Sequence, residues 1–263
     1  QSILLRVSHL ESIISHINYT SVSDSLIIIP TYNEKENIEK IIRKVFSLND
    51  AFEILIIDDG SPDGTADIVK SLQAEYPSLH IEERRGKLGL GTAYIHGFRW
   101  ALERPKYQYI FEMDADFSHN PEDLFRLKTA CINGADVAIG SRYVNGVNVV
   151  NWPMSRVLMS SFASMYVRLI TRINIQDATA GFKCYTRKVL ATIPLDKIRF
   201  VGYAFQIEMK FTAIKYGFKV VEVPIIFTDR TEGTSKMSTG IFREAFLGVI
   251  QMKVSSWFRK YDR

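Results

Sequence analysis

Short unbroken apolar runs alternate along this chain with longer segments whose apolar residues return every three or four positions. Residues 26–29 are all Leu or Ile and stop at Pro30; the segment 34–48 then carries apolar residues at 38, 41, 42, 45 and 48, the period of a helix. The pattern repeats. The run 53–57 opens into Asp58-Asp59-Gly60-Ser61-Pro62-Asp63-Gly64, after which Ala66, Ile68, Val69 and Leu72 mark a second helix. Further strands are expected at 79–83, 107–113, 136–140, near 182 and at 219–227, and further helices up to about 103, after Pro121, over 153–173, from 202 and over 241–261. Strands that are apolar throughout are buried on both faces, and strand–helix alternation builds a parallel sheet. The fold class is α/β, a mostly parallel central sheet with helices on both faces. Ligands of such sheets collect at the carboxyl ends of strands, where Tyr32, Asp59, Lys87 and Asp116 all fall.

The run 107–113 empties into Asp114-Ala115-Asp116. Two aspartates at i and i+2 at a strand's end bring hard oxygen ligands towards one divalent cation, leaving its other positions for water and phosphate oxygens. The competing reading is that Asp116 or Ser118 caps the helix announced by Pro121, Glu122 and Asp123. Gly86-Lys87-Leu88-Gly89-Leu90-Gly91 fits neither GKS/T nor GxGxxG; it is a helix-capping connection or a loop that approaches a nucleotide. Arg142, just after a strand, reaches either a phosphate or sugar near the metal or a carboxylate at the sheet edge. Arg156 and Ser160 share one helix face and form either an anion site or a solvated edge. Glu208, set among Phe, Ile and Met, requires a partner if buried. Arg230 and Lys236 lie on a Gly-bearing loop of the kind that closes over substrates.

Composition narrows the class. With 263 residues, 46% hydrophobic and 24% charged, one large domain suffices. The net charge of +4 comes from interspersed Lys, Arg, Asp and Glu, which favours anionic partners such as phosphates or lipid headgroups and gives no indication of nucleic-acid binding. Cys131 and Cys184 have no metal-binding spacing and are expected as two buried thiols in a reducing compartment. No run reaches the ~18 apolar residues of a membrane-spanning helix. Residues 1–22 lack the pattern of a signal peptide and are expected to be an appended or poorly ordered leader. The catalytic domain is expected over 23–240. A C-terminal amphipathic helix over 241–263 would pack on the core or lie in a membrane interface.

Taken together, Pro30-Thr31-Tyr32-Asn33-Glu34, Asp58 to Thr65, Asp114-Ala115-Asp116, Gly140-Ser141-Arg142-Tyr143, Gly181-Phe182 and the stretch 230–236 resemble the polyprenyl (dolichyl) phosphate mannose synthases, inverting glycosyltransferases of the GT-A (Rossmann-like) fold. The resemblance implies GDP-mannose as donor, a polyprenyl or dolichyl phosphate as acceptor, and Mg2+ or Mn2+ as cofactor. By that likeness Pro30, Tyr32, Glu34, Ile57 and Asp59 hold the guanosine, and Asp114, Ala115 and Asp116 hold the diphosphate, with Asp114 and Asp116 on the metal. Arg142, Arg230 and Lys236 face the donor and, with Asp116, carry catalysis, while Arg156 and Ser160 meet the acceptor phosphate. Ser118 stands where some relatives have Gln, which leaves open whether Ser118 or water fills that position on the metal. A lipid acceptor without a spanning segment implies a peripheral enzyme on the cytoplasmic face of a membrane. Other readings are a UDP-glucose-dependent glucosyltransferase acting on the same lipid, a non-catalytic GT-A binding module, and a nucleotidyltransferase, whose Gly-rich first loop is missing at 30–37.

Overall fold

Residues 23–48, 51–229 and 239–261 are described by the computed structural model. Four strand–helix units come first: β1 (Ser25–Thr31) and α1 (Ile38–Phe46), β2 (Phe52–Asp58) and α2 (Thr65–Leu72), β3 (Leu79–Glu83) and α3 (Leu90–Leu102), then β4 (Tyr109–Glu112) and α4 (Leu124–Ile132). All four strands are parallel neighbours, in the order β3-β2-β1-β4. Along β1 the pleat sends Leu26 and Ile28 to one face, with Tyr94 and Phe98 of α3, and Ile27 and Ile29 to the other, with Ile38, Ile41 and Ile42 of α1. All are fully buried, and each contributes roughly 2 kcal/mol of transfer free energy. Gly97 lets α3 lie close on β1; a Cβ there would come within 2.7 Å of the Ile28 side chain.

The second half of the sheet is built differently. β5 (Val137–Ser141) leads to β6 (Val149–Val150), the 18-residue α5 (Met154–Thr171), β7 (Lys183–Thr186), α6 (Arg187–Thr192), α7 (Tyr203–Lys215), β8 (Val220–Pro224), β9 (Phe227–Thr228) and α8 (Thr239–Phe258). β7 runs antiparallel between β4 and β5, and β8 is parallel to β5, giving the seven-stranded order β3-β2-β1-β4-β7-β5-β8. The sheet is mostly parallel, as expected.

Two departures from the sequence pattern matter for the site. The strand expected over 219–227 divides: β8 leaves the sheet at Pro224, and β9 pairs with β6 in a separate ribbon, Val149 opposite Phe227. Helix α5 is also inverted relative to ordinary amphipathicity. It buries Ser164, Val167 and Thr171 while Met154, Leu158, Phe162, Met165 and Leu169 are exposed. The two cysteines are buried free thiols, as expected.

Candidate active site

Beyond β4 the chain turns sharply at Asp114, and Phe117 takes a left-handed conformation, φ 60°. Side chains hold that turn. His119 Nδ1 accepts the Asp114 amide at 3.2 Å, and Asp116 Oδ1 accepts the Ser118 amide at 3.1 Å. Capping falls to Asn120, whose Oδ1 accepts from Glu122 N, so neither Asp116 nor Ser118 performs it. The His119 ring stacks on Phe182 with centroids 4.9 Å apart, and its burial pushes its pKa down to about 4. It is therefore neutral near pH 7, with Nδ1 as the acceptor. Asp116 is 8% exposed, whereas the Asp114 side chain is 41% exposed.

Below the turn lies a buried polar floor. Lys183 Nζ is 2.9 Å from Glu112 Oε2, Tyr185 donates to Glu112 Oε1 at 2.9 Å, and Lys183 also reaches Gln206. Lys210 donates to the Ala180 carbonyl at 2.6 Å. Burial pushes the pKa of Lys183 down despite Glu112, and that of Lys210 well down.

Arg142, at the end of β5, holds the fully buried Asp177 in a fork, Nε to Oδ2 at 2.7 Å and Nη2 to Oδ1 at 2.6 Å, and Nη2 also reaches Thr179 Oγ1 at 2.8 Å. Burial would raise the Asp177 carboxyl, yet the charge and hydrogen bonds of Arg142 hold it below the usual range. Asp177 is itself positioned by Glu222 on β8, which accepts the amides of Gln176 and Asp177 and the Ser141 hydroxyl. Of the two readings of Arg142, the carboxylate partner is observed, with the guanidinium still bordering the cavity described next.

Asp114, Asp116, Arg142, Arg156 and Ser160 line one cavity of about 1260 Å³. Those residues are the charged and polar part of its lining. The lining also includes apolar side chains, among them Met159, Phe162 and Leu169 of α5 and Phe246 and Leu247 of α8. The two helices are joined by Tyr166, whose ring stacks on Phe246 at 4.4 Å and whose hydroxyl donates to the Phe246 carbonyl. Arg156 donates to Asp229 Oδ2 at 2.7 Å and lies over the Trp152 ring.

The residues expected around a nucleoside lie outside this lining. Pro30 is the penultimate residue of β1 and Tyr32 follows the strand's end, with Lys87 Nζ 5.0 Å from the Tyr32 ring centroid. The Glu34 amide donates to Thr65 Oγ1, and its carboxylate accepts from Asn37. The Ile57 side chain is buried in the core. Asp59 is engaged by Arg84, Nε to Oδ1 at 2.6 Å, and by the Leu88 amide, which ties the glycine-bearing loop to β2. Glu208 finds its partners in the main chain, accepting the amides of Arg199 and Phe200, although burial still raises its pKa. Arg230, Lys236 and the leader 1–22 lie outside the described residues.

Sequence reasoning missed Asp177, Asp229, Trp152 and the Glu112–Lys183 pair. A charged residue inside an apolar strand was the available signal for Glu112 and Lys183; Asp177 offered none beyond its turn. For a metal, Asp114 and Asp116 supply two carboxylates. The Ser118 hydroxyl beside them is buried without a hydrogen-bond partner among the described residues, and no three His, Cys, Asp or Glu side chains converge there. That donor set fits a divalent ion that fills its remaining positions with phosphate oxygens and water.

A Rossmann-like sheet with paired aspartates at its switch point and arginines across a cleft defines a GT-A glycosyltransferase. Residues 26–193 match the model of glycosyl transferase family 2, and the chain belongs to that family. It is 47% identical over 234 residues to the polyprenol monophosphomannose synthase of Mycolicibacterium smegmatis, covering 89% of this chain and 86% of that one. It is also 47% identical over 224 residues to the undecaprenyl-phosphate mannosyltransferase of Micrococcus luteus, covering 85% and 91%. Among solved structures, glucosyl-3-phosphoglycerate synthase from Mycobacterium tuberculosis with Mn2+, UDP and glucosyl-3-phosphoglycerate superposes with a TM-score of 0.62 at 16% identity, over 90% of this chain and 80% of that one. A mannosyltransferase from Pyrobaculum calidifontis with GDP-Man and Mn2+ superposes at 0.53 and 14%, over 89% and 73%.

Proposed function

We propose that the chain transfers mannose from GDP-mannose to a polyprenyl phosphate, giving a β-mannosyl phosphoryl polyprenol. The observation that carries this reading is the mixed lining of one cavity: carboxylates and guanidinium groups together with apolar side chains of α5 and α8. A lipid phosphate needs both kinds of surface in one site. The names of the two relatives at 47% identity support the sugar and the acceptor class.

The chemistry follows from charge. An acceptor phosphate is already anionic near neutral pH, so its oxygen can attack the anomeric carbon without a strong general base; the site must hold two phosphate groups close together. The bond from the anomeric carbon to the β-phosphate oxygen of GDP breaks with the electron pair leaving on GDP, and direct displacement inverts the α-linked donor to a β-linked product. Asp114 and Asp116 would hold Mg2+ or Mn2+, which neutralises charge on the departing diphosphate. Arg156 and Ser160 would receive the acceptor phosphate, with Arg156 exchanging Asp229 for it. Arg142, kept rigid by Asp177, borders the space between. Arg230 and Lys236 are assigned to the donor by resemblance, and Pro30, Tyr32, Glu34, Ile57 and Asp59 to its guanosine.

We also propose peripheral docking on a membrane surface. Among the described residues no helix is long and apolar enough to cross a bilayer. Helix α5 instead exposes its apolar stripe, and α8, packed beside it, exposes Ile250, Val254, Trp257 and Phe258. Two adjoining apolar faces on helices that line the cavity suit insertion among acyl chains. A panel of GDP-mannose, UDP-glucose and other nucleotide sugars, assayed with a short polyprenyl phosphate and each divalent ion, tests the reading. Product from GDP-mannose alone supports it. Product from UDP-glucose alone replaces it with the glucosyltransferase, and tight nucleotide binding without turnover replaces it with a binding module.

A further inference from the structure

We propose that Trp152 is a positioning residue for acceptor-phosphate binding, holding the Arg156 guanidinium by its ring face so that the N–H groups are available to an anion. This rests on the reading above that Arg156 meets the acceptor phosphate. The Arg156 Cζ lies 4.1 Å from the Trp152 ring centroid, and the Arg142 Cζ lies 5.4 Å from the same ring. One indole therefore organises both arginines of the cavity lining. Phe227 completes the arrangement. It meets Trp152 edge-on at 5.3 Å, sits 5.5 Å from Arg142 Cζ and packs edge-on against His119 at 5.6 Å, which links the aromatic group to the turn that carries Asp114 and Asp116.

The indole is placed by its faces and edges. Its Nε1–H is buried with no hydrogen-bond acceptor among the described residues, so no polar contact there accounts for its orientation. The distinction matters chemically. A carboxylate such as Asp229 restrains a guanidinium by occupying the N–H donors that a phosphate requires, whereas an aromatic face attracts the cation from above and leaves the planar fork open. Trp152 therefore keeps Arg156 in place at the moment when Asp229 is exchanged for the incoming phosphate. Because Arg156 remains neutralised by Asp229 until then, two guanidinium groups can share one ring without an unbalanced charge.

The test compares Trp152→Leu, which keeps apolar bulk without a π face, with Trp152→Phe, which keeps a smaller face. KM for a short-chain polyprenyl phosphate, kcat, and GDP affinity by calorimetry are measured for each. Loss of one cation–π contact is expected to raise the acceptor KM of Trp152→Leu about tenfold, with kcat and GDP affinity within about threefold of wild type, and Trp152→Phe is expected to recover most of the loss. Unchanged acceptor KM in Trp152→Leu, or equal losses in the Leu and Phe variants, overturns the proposal, as does a parallel fall in GDP affinity. If Trp152→Leu fails to fold, Trp152→Met serves in the same comparison. Arg156→Gln separates the two levels of the argument. If it raises acceptor KM and Trp152→Leu does not, only the role of Trp152 fails; if Arg156→Gln leaves KM unchanged, the acceptor assignment fails and this inference with it.

Discussion

Arg142 and Asp177 form a two-pronged ion pair, Nη2 to Oδ1 at 2.6 Å and Nε to Oδ2 at 2.7 Å, with the carboxylate wholly shielded from solvent. Asp177→Asn leaves the guanidinium buried without its counter-charge, which costs about 3 kcal/mol of folding stability. Urea unfolding of the variant measures it, and a midpoint equal to wild type would sink the structural account of this pair. The depressed Asp177 carboxyl also fixes a sign with pH. Its stabilisation is complete above the ordinary carboxylate pKa and is lost as pH falls through the lower folded value.

On the proposed reading, in which Asp116 would hold the divalent ion, Asp116→Asn is expected to lower turnover by about 100-fold or more. The fold should survive: the Asn side-chain oxygen can still accept the Ser118 amide, as Asp116 Oδ1 does at 3.1 Å. Turnover at saturating Mn2+ and Mn2+ affinity in the presence of GDP are the measurements. Near-normal values for both would remove Asp116 from the metal.

His119 gives a second pH dependence. Its folded pKa of about 4 lies below the ordinary histidine value near 6.5, so the unfolded chain binds more protons between those pH values. Stability is expected to fall as pH drops from 6.5 towards 4. His119→Asn can present an oxygen near the position of Nδ1 without titrating. In chelator-treated protein, its stability should vary less over that window, and an unaltered slope would show that another group dominates.

Leu158→Ser, Trp257→Ser and Phe258→Ser combined test the membrane face. All three side chains are at least half exposed and lie outside the cavity lining. Wild type is expected to sediment with anionic vesicles at low salt, each basic residue near the surface adding about 1 kcal/mol. The triple variant should remain in the supernatant while binding GDP as wild type does. Wild type left in the supernatant on every composition would end the docking proposal.

Much of the frame was legible because its pattern is local. The apolar run of β1 followed by the helical period of α1, repeated in β2 and α2, specifies parallel units without long-range information. Asp114, Asp116, Arg142, Arg156 and Ser160 could be singled out as polar residues at strand ends or on one helix face, and they border one cavity. What escaped reading depends on residues far apart in the chain. Asp177 meets Arg142 across 35 positions, Asp229 meets Arg156 across 73, and β9 pairs with β6 across 78, Val149 opposite Phe227. Helix α5 was legible only in part. Its period is clear, but periodicity says which residues share a face and nothing about whether that face meets protein or lipid.

The antiparallel strand β7 also bears on the order in which the molecule is expected to assemble. Strands β1 to β4 are joined by short crossovers, whereas β7 pairs Lys183 with Glu112 across a long loop of chain, so loop-closure entropy delays that seam. Its closure brings a buried ammonium and a buried carboxylate together, each costly to desolvate until the other arrives. The seam is therefore expected to close late and as a unit, after strands β1 to β4 have paired. Hydrogen exchange should find the amides of β7 opening together with those of β5 and β8 while β1 and β2 remain closed.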